Sequence, residues 1–220
     1  MLQRNIHLDY LKFALSILVV AIHVPIAQNA TVSYFIQDSL PRLAVPVFYI
    51  VNGYFLPNML NGQAKLVRLM KRLLLLYAVW MVIYLPFYFD RFKVSWLFTG
   101  YHHLWYVAAL MEAIMLLWLL KKVLKSERSI LIIGLALFFT GWAIQMLRIL
   151  DCPVPYANVV YVNSFTRNFL FLSFPYIAIG YFLRHAQLEK RWPACWLQSR
   201  LLYMPRLVPC LWQRLLFAII

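Results

Sequence analysis

Residues 9–23 read DYLKFALSILVVAIH, an apolar run of helical length whose polar side chains, Tyr10 apart, keep to one side. At about 100° per residue, Asp9, Lys12, Ser16 and His23 share a sector of roughly 60° over about four turns. Lys12 and His23 are eleven residues apart and nearly eclipse each other, about 16 Å apart along the axis. Ionisable groups among hydrocarbon are costly, so this stripe belongs on a helix that turns it toward the inside of a bundle. The sequence around it decides what kind of bundle.

The chain has 220 residues, 64% hydrophobic and only 13% charged, with a mean hydropathy of +0.73. Soluble domains carry about 25% charge, so this composition belongs to the multi-pass membrane class. Spans are expected near 8–28, 40–57, 70–89, 104–121, 129–149 and 165–183. The fold expected is all-α, a transmembrane bundle of about six spans whose inner cavity is lined by the first four. Pro41 and Pro46 interrupt the second span, and prolines are tolerated there when neighbouring helices satisfy the freed backbone groups.

The net charge of +14 raises nucleic acid as a partner. The basic residues, however, sit in short connections between apolar spans, the pattern of cytoplasmic membrane loops. Arg4 and Lys12 mark the N-terminus. Lys65, Arg68, Lys71 and Arg72 mark the second connection, and Lys121, Lys122, Lys125 and Arg128 the fourth. The alternate connections are poorer, with none at 29–39 and Arg91 and Lys93 near 90–103. This bias places the N-terminus in the cytoplasm of a plasma (inner) membrane protein and argues against nucleic acid. The first span keeps Asp9, Lys12 and His23 and lacks a small-residue cleavage site, so it reads as a retained helix. Cys152, Cys195 and Cys210 show neither metal spacing nor a disulfide framework.

A transmembrane domain is expected over 1–190 and an atypical tail over 191–220. No Asp or Glu follows Glu189, and LVPCLWQRLLFAII at 207–220 is too short to span and contains Arg214. The tail reads either as an amphipathic segment on the membrane surface or as out-of-frame coding.

Five segments in order resemble the acyltransferase type 3 family of integral membrane O-acyltransferases. They are DYLKFALSILVVAIH, PRLAVPVFYIVNGYFL (41–56), KLVRLMKRLLLLY (65–77), HHLWYV (102–107) and TRNFLFLSFPYIAIGYFL (166–183). The likeness covers about residues 5–185. It implies an O-acyl transfer in which His23 is the catalytic group and Lys12, Arg68 and Arg72 contact the acyl-CoA donor. Two positions depart from the pattern: Lys12 stands where the family has Arg, and Asn52 where it has Ser. Lysine keeps the charge but loses the planar fork that grips a phosphate by two bonds. Family members have about ten spans against six here, which implies a truncated member.

Chemistry at these positions follows from residue type. A neutral imidazole at His23 can take a proton from an acceptor hydroxyl attacking a thioester, or carry the acyl group transiently; packing inside the bundle is the plainer alternative. Cations at Lys12, Arg68 and Arg72 suit the phosphates of acetyl-CoA, although positive-inside anchoring accounts for most basic loop residues. Asp9 pairs with Lys12 at i,i+3 in the structural reading. Arg42 faces the outer side, to contact an anionic acceptor or to snorkel. His103, Trp105 and Tyr106 form a polar and aromatic cluster suited to a sugar ring, or an interfacial belt with Trp96 and Tyr101. Glu112 lies deeper on the fourth span as a protonated or paired carboxylate.

The function expected is acyl transfer, of acetyl, from a cytosolic acyl-CoA to a hydroxyl of a cell-envelope glycan or lipid-linked sugar. No bound cofactor and no metal are expected; the partners are acyl-CoA, the glycan acceptor and membrane lipids. A transporter or flippase-like protein, and an inactive truncated remnant, remain as alternatives.

Overall fold

Helices form where the apolar runs lie, and each break has a local cause. The computed structural model describes residues 6–21, 40–89, 92–124, 126–153 and 157–186. Six main helices occur among them: α1 Ile6–Ala21, α2 Ala44–Phe55, α3 Gln63–Tyr88, α4 Trp105–Val123, α5 Glu127–Ile149 and α6 Phe174–His185. The protein is all-α over these residues. The tail at 191–220 and His23 lie outside the described residues.

The helices divide between two compact units. The first runs to Phe48 and includes α1, packed on the 3-10 turn Leu40–Leu43. The second is Tyr49–Ala186. The boundary falls within α2, a 12-residue helix, well short of the roughly 20 residues a lone span needs. The helical turn Pro57–Leu60 follows it and opens on a proline, whose missing N–H costs nothing at that position.

In the second unit α3 and α4 share a core of Tyr77, Met81, Tyr88, Leu104 and Ala108. The connection between them folds back onto this core. The Tyr77 hydroxyl donates to the carbonyls of Trp96 (2.8 Å) and Leu97 (3.1 Å). Gly100 makes the return possible, with φ of +76° and a position where a Cβ would fall on the backbone of Leu104 and Trp105. α5 begins at Glu127 and carries Arg148 in its last turn, charges that suit the two ends of a helix dipole.

The sixth apolar run is not one helix. A turn at Asn163–Thr166 gives way to a π-helical turn, Phe169–Ser173, and then to α6. Asn168 causes the break. Its Oδ1 accepts from the backbone N–H of Leu170 (2.9 Å) and Phe171 (3.0 Å), and its Nδ2 donates to the Phe165 carbonyl at 2.8 Å. A short amide side chain thus takes backbone partners that a continuing helix would use. Asn168→Ala is expected to cost about 0.5–2 kcal/mol, the usual loss on removing such a cap. Thermal unfolding in detergent reads it as a lowered midpoint, with Arg167→Ala as the neutral neighbour.

α6 packs on two helices through glycines. Gly134 of α5 faces the Ala178 side chain, where a Cβ would lie 2.9 Å from its own, and Gly141 faces Phe171 at 2.8 Å. Low numbers on α5 meet high numbers on this segment, so the two run antiparallel. The contact with α2 is reciprocal: a Cβ on Gly53 would fall on the Ile177 carbonyl, and one on Gly180 on the Ile50 carbonyl. Both glycines belong to the same octapeptide pattern, YIVNGYFL at 49–56 and YIAIGYFL at 176–183. Tyr49 lies beside Ser173 and Tyr54 beside Arg184, so α2 and α6 run in one direction. Two near-copies of one segment therefore pack face to face, each glycine admitting the other backbone, as small residues do between membrane helices.

Among the described residues one helix, α5, is long and apolar enough to cross a membrane by itself. Only 17% of its most apolar stretch is buried in the protein, which separates it from a soluble core helix. Large apolar side chains stand exposed on α1 (Phe13, Ile17), α3 (Leu75, Val82) and α5 (Ile132, Trp142). Apolar surface on that scale calls for lipid or a covering protein.

Candidate functional site

The deepest polar cluster in the second unit joins α2, α4 and the π-helical turn. Tyr49 is fully buried. Its ring stacks on Tyr106, with centroids 4.6 Å apart and planes at 27°, and its hydroxyl donates to the Tyr106 carbonyl at 3.3 Å. One turn along α2, Asn52 Nδ2 donates to the Tyr106 hydroxyl at 3.0 Å. Ser173 closes the group from the π-helical turn beside Tyr49, and Glu112 lies further along α4 from Tyr106.

Ser173 Oγ is buried beside the Tyr49 hydroxyl, without a hydrogen bond of good geometry. Buried hydroxyls are nearly always paired, so an unpaired one signals a special environment. π-helical turns recur at functional sites because they displace side chains from the helical register. The cluster offers neutral hydroxyl and amide groups beside one carboxyl, in surroundings where hydrogen bonds are strong. Such a set can hold a hydroxyl group or a water. No metal-binding group of His, Cys, Asp or Glu occurs among the described residues.

Other sequence-marked residues are distributed as follows. Lys12 is exposed on α1, and Ser16 Oγ donates to the Lys12 carbonyl at 2.8 Å, so the stripe's hydroxyl turns back on its own helix. Asp9 lies on the same helix. Arg42 is exposed in the turn Leu40–Leu43. Lys12 and Arg42 belong to the first unit; Arg68, Arg72, His103, Trp105, Tyr106 and Glu112 belong to the second. Arg68 and Arg72 are exposed one turn apart on α3. His103 is exposed in the 3-10 turn His102–Leu104 that leads into α4. Glu112 and Tyr106 are drawn into the cluster.

Three aromatic residues near this turn, Tyr88, Trp96 and Tyr101, pack on one another. Trp96 meets Tyr88 edge-on at 5.9 Å and Tyr101 at 5.0 Å, while Tyr101 meets Tyr88 at 4.9 Å. Tyr88 donates to the Met81 carbonyl at 2.9 Å. Phenols with a backbone partner can be buried, which lets these rings seal the α3–α4 seam. At the other end of α4, Lys121 Nζ donates to Asn61 Oδ1 at 3.2 Å. Arg184 Nη1 donates to the Tyr54 hydroxyl at 3.2 Å, with its guanidinium 5.1 Å from the Tyr54 ring.

A family model described as an acyltransferase domain (acyltransferase 3) matches residues 5–204, nearly the whole chain. The chain belongs to the acyltransferase 3 family. This is a membrane-embedded family of acyl-group transferases, which accounts for the exposed apolar faces of α1, α3 and α5. Among curated proteins, an amino-acid racemase of Enterococcus faecalis is 26% identical over 192 residues, covering 79% of this chain and 27% of the relative. The acyltransferase 3 chain thus spans about a quarter of that relative's length. No solved structure matches it.

Tyr49 and Ser173 of this acyltransferase 3 family member are not among the residues the sequence singles out. Tyr49 sits inside a quoted motif segment, and Ser173 is the sole hydroxyl of FLFLSFPY besides its tyrosine. A lone hydroxyl in an apolar run was the available signal. Its partner lies more than 120 residues away in sequence, where no local pattern reaches.

Proposed function

We propose that the complete protein is a membrane O-acyltransferase moving an acetyl group from a cytosolic acyl-CoA to a hydroxyl of a cell-envelope glycan or lipid-linked sugar. The observation that carries this reading is the family match over residues 5–204, which takes in all five motif segments and His23. The bundle would use about six spans from this chain, within residues 1–190, with the N-terminus in the cytoplasm of the plasma membrane.

The roles follow residue by residue. The acceptor oxygen attacks the thioester carbonyl while His23 takes its proton; an ester C–O bond forms and the C–S bond breaks. The thiolate of CoA leaves and recovers the proton from the imidazolium. In the covalent variant the imidazole carries the acyl group between donor and acceptor. Lys12, Arg68 and Arg72 contact donor phosphates. Arg42, His103, Trp105 and Tyr106 serve the acceptor side. Asp9 steadies Lys12 one turn away. Glu112, with Asn52 and the buried Tyr49 and Ser173, supplies hydrogen-bonding groups that suit an acceptor hydroxyl.

A second reading is a carrier in which the polar groups line a pathway. It would account for Asp9, Lys12, His23 and Glu112 within apolar spans without any acyl chemistry. The test uses membranes containing the full-length protein and radiolabelled acetyl-CoA. Acyl-CoA-dependent label in the glycan fraction supports the transferase. Uptake of amino acid or glycan into vesicles without any acyl-CoA requirement supports the carrier instead.

A further inference from the structure

An open groove of about 390 Å³ runs between α3 and α4, lined by Met70, Lys71 and Leu74 on one side and Met111, Met115 and Trp118 on the other. The two helices are antiparallel, because Asn61, just before α3, meets Lys121 near the end of α4. The groove therefore has a cationic end and an apolar end. Lys71 lines it directly. Lys122 Nζ lies 3.5 Å over the Trp118 ring at its rim. Side chains on α3 lean toward its N-terminus, which carries the Lys71 ammonium toward the same end. Segments 61–72 and 118–125 contain Lys65, Arg68, Lys71, Arg72, Lys121, Lys122 and Lys125, and no acid.

We infer that this groove binds an anionic phospholipid, its phosphate between Lys71 and Lys122 and one acyl chain along Met70, Leu74 and Met111. Charge selects the occupant. A protein helix would need carboxylates at its rim, whereas a leaflet lipid brings a phosphate and a chain already at the right depth. Basic recesses between membrane helices on the cytoplasmic side recognise such headgroups. Thioether side chains adapt to a flexible chain better than branched ones do. The site is separate from the donor contacts proposed above. At about 100° per residue, Arg68 and Arg72 point to the side of α3 away from Met70 and Leu74.

The experiment measures thermal unfolding of the purified full chain in phosphatidylcholine bilayers with and without added phosphatidylglycerol. Phosphatidylglycerol at saturation is expected to raise the midpoint by about 5–10 °C. The double variant Lys71→Gln, Lys122→Gln is expected to match wild type in pure phosphatidylcholine, showing that it folds, and to lose most of the rise. Lys93→Gln, in the connection before α4, is expected to keep it. An equal rise in the double variant overturns the proposal, as does an equal loss in Lys93→Gln, which would mean diffuse surface charge. Abolition of the rise by acetyl-CoA at fixed lipid also overturns it, by assigning the groove to the donor. None of these readouts uses acyl transfer, so they stand whichever way the transferase assay falls.

Discussion

Gly180→Leu is expected to prevent accumulation of folded protein in the membrane. The hydrogen that leucine replaces points at the Ile50 carbonyl, with the Tyr54 amide nitrogen also 2.9 Å from any Cβ there. Neither group is the end of a flexible side chain, so only separation of α2 from α6 relieves the contact. Overpacking a core costs about 1–3 kcal/mol when side chains can yield, and more when they cannot. A domain stable by about 5–15 kcal/mol loses much of its margin to such a change. Separation also pulls Tyr49 from Ser173 and Tyr54 from Arg184, dispersing the polar cluster. Gly180→Ala is expected to be milder but still destabilising, because its single methyl already meets the carbonyl.

Gly53→Ala should fail for the mirror-image reason, at the Ile177 carbonyl. Helices forced apart by one methyl accommodate the other for less, so the double substitution should cost less than the sum of the singles. Gly62→Ala is the control. Its φ of −158° suits any residue, and the nearest atoms to a new Cβ are 3.8 Å away on the flexible Lys65 chain. Yield and monodispersity on size exclusion in detergent separate the cases. Wild-type behaviour of Gly180→Leu would remove the interlocked octapeptides from the account of the fold.

Length and hydropathy located the helices because backbone among hydrocarbon must satisfy its own hydrogen bonds, which an apolar run of that length does as a helix. The expected runs 104–121 and 129–149 correspond to Trp105–Val123 and Glu127–Ile149 within a few residues. α3 begins at Gln63, seven residues ahead of its apolar run, since Lys65 and Arg68 favour helix without being hydrophobic. The sixth run hid its break at Asn168, whose effect depends on three hydrogen bonds that composition does not record. The aromatic residues at 96–106 fit an interfacial belt by type. Trp96 and Tyr101 also pack on Tyr88, where Gly100 turns the chain back. The candidate site divides the same way. Tyr106 and Glu112 were visible as polar groups in a span, but their meeting with Tyr49 and Ser173 is a product of the α2–α6 packing.

His23→Ala is the substitution with the largest expected effect on chemistry. Removal of a general base costs about 10²–10⁴ in rate, and removal of an acyl carrier leaves no turnover at all. The loss should appear in kcat with the KM for acetyl-CoA nearly unchanged, because the imidazole is proposed to act on the reacting bond and not on the phosphates. Lys12→Ala gives the opposite signature, a raised KM with kcat less affected, and Lys12→Arg should hold or lower KM by adding a second hydrogen bond to phosphate. A packing role for His23 predicts instead a lowered yield and unfolding midpoint, with normal turnover per folded molecule. Acetyl transfer measured per mole of folded protein therefore decides between the two, and an undiminished kcat in His23→Ala moves the chemistry elsewhere in the bundle. The group at Tyr49, Tyr106 and Ser173 would be the next place to look, because Tyr49 and Ser173 are fully buried beside one another.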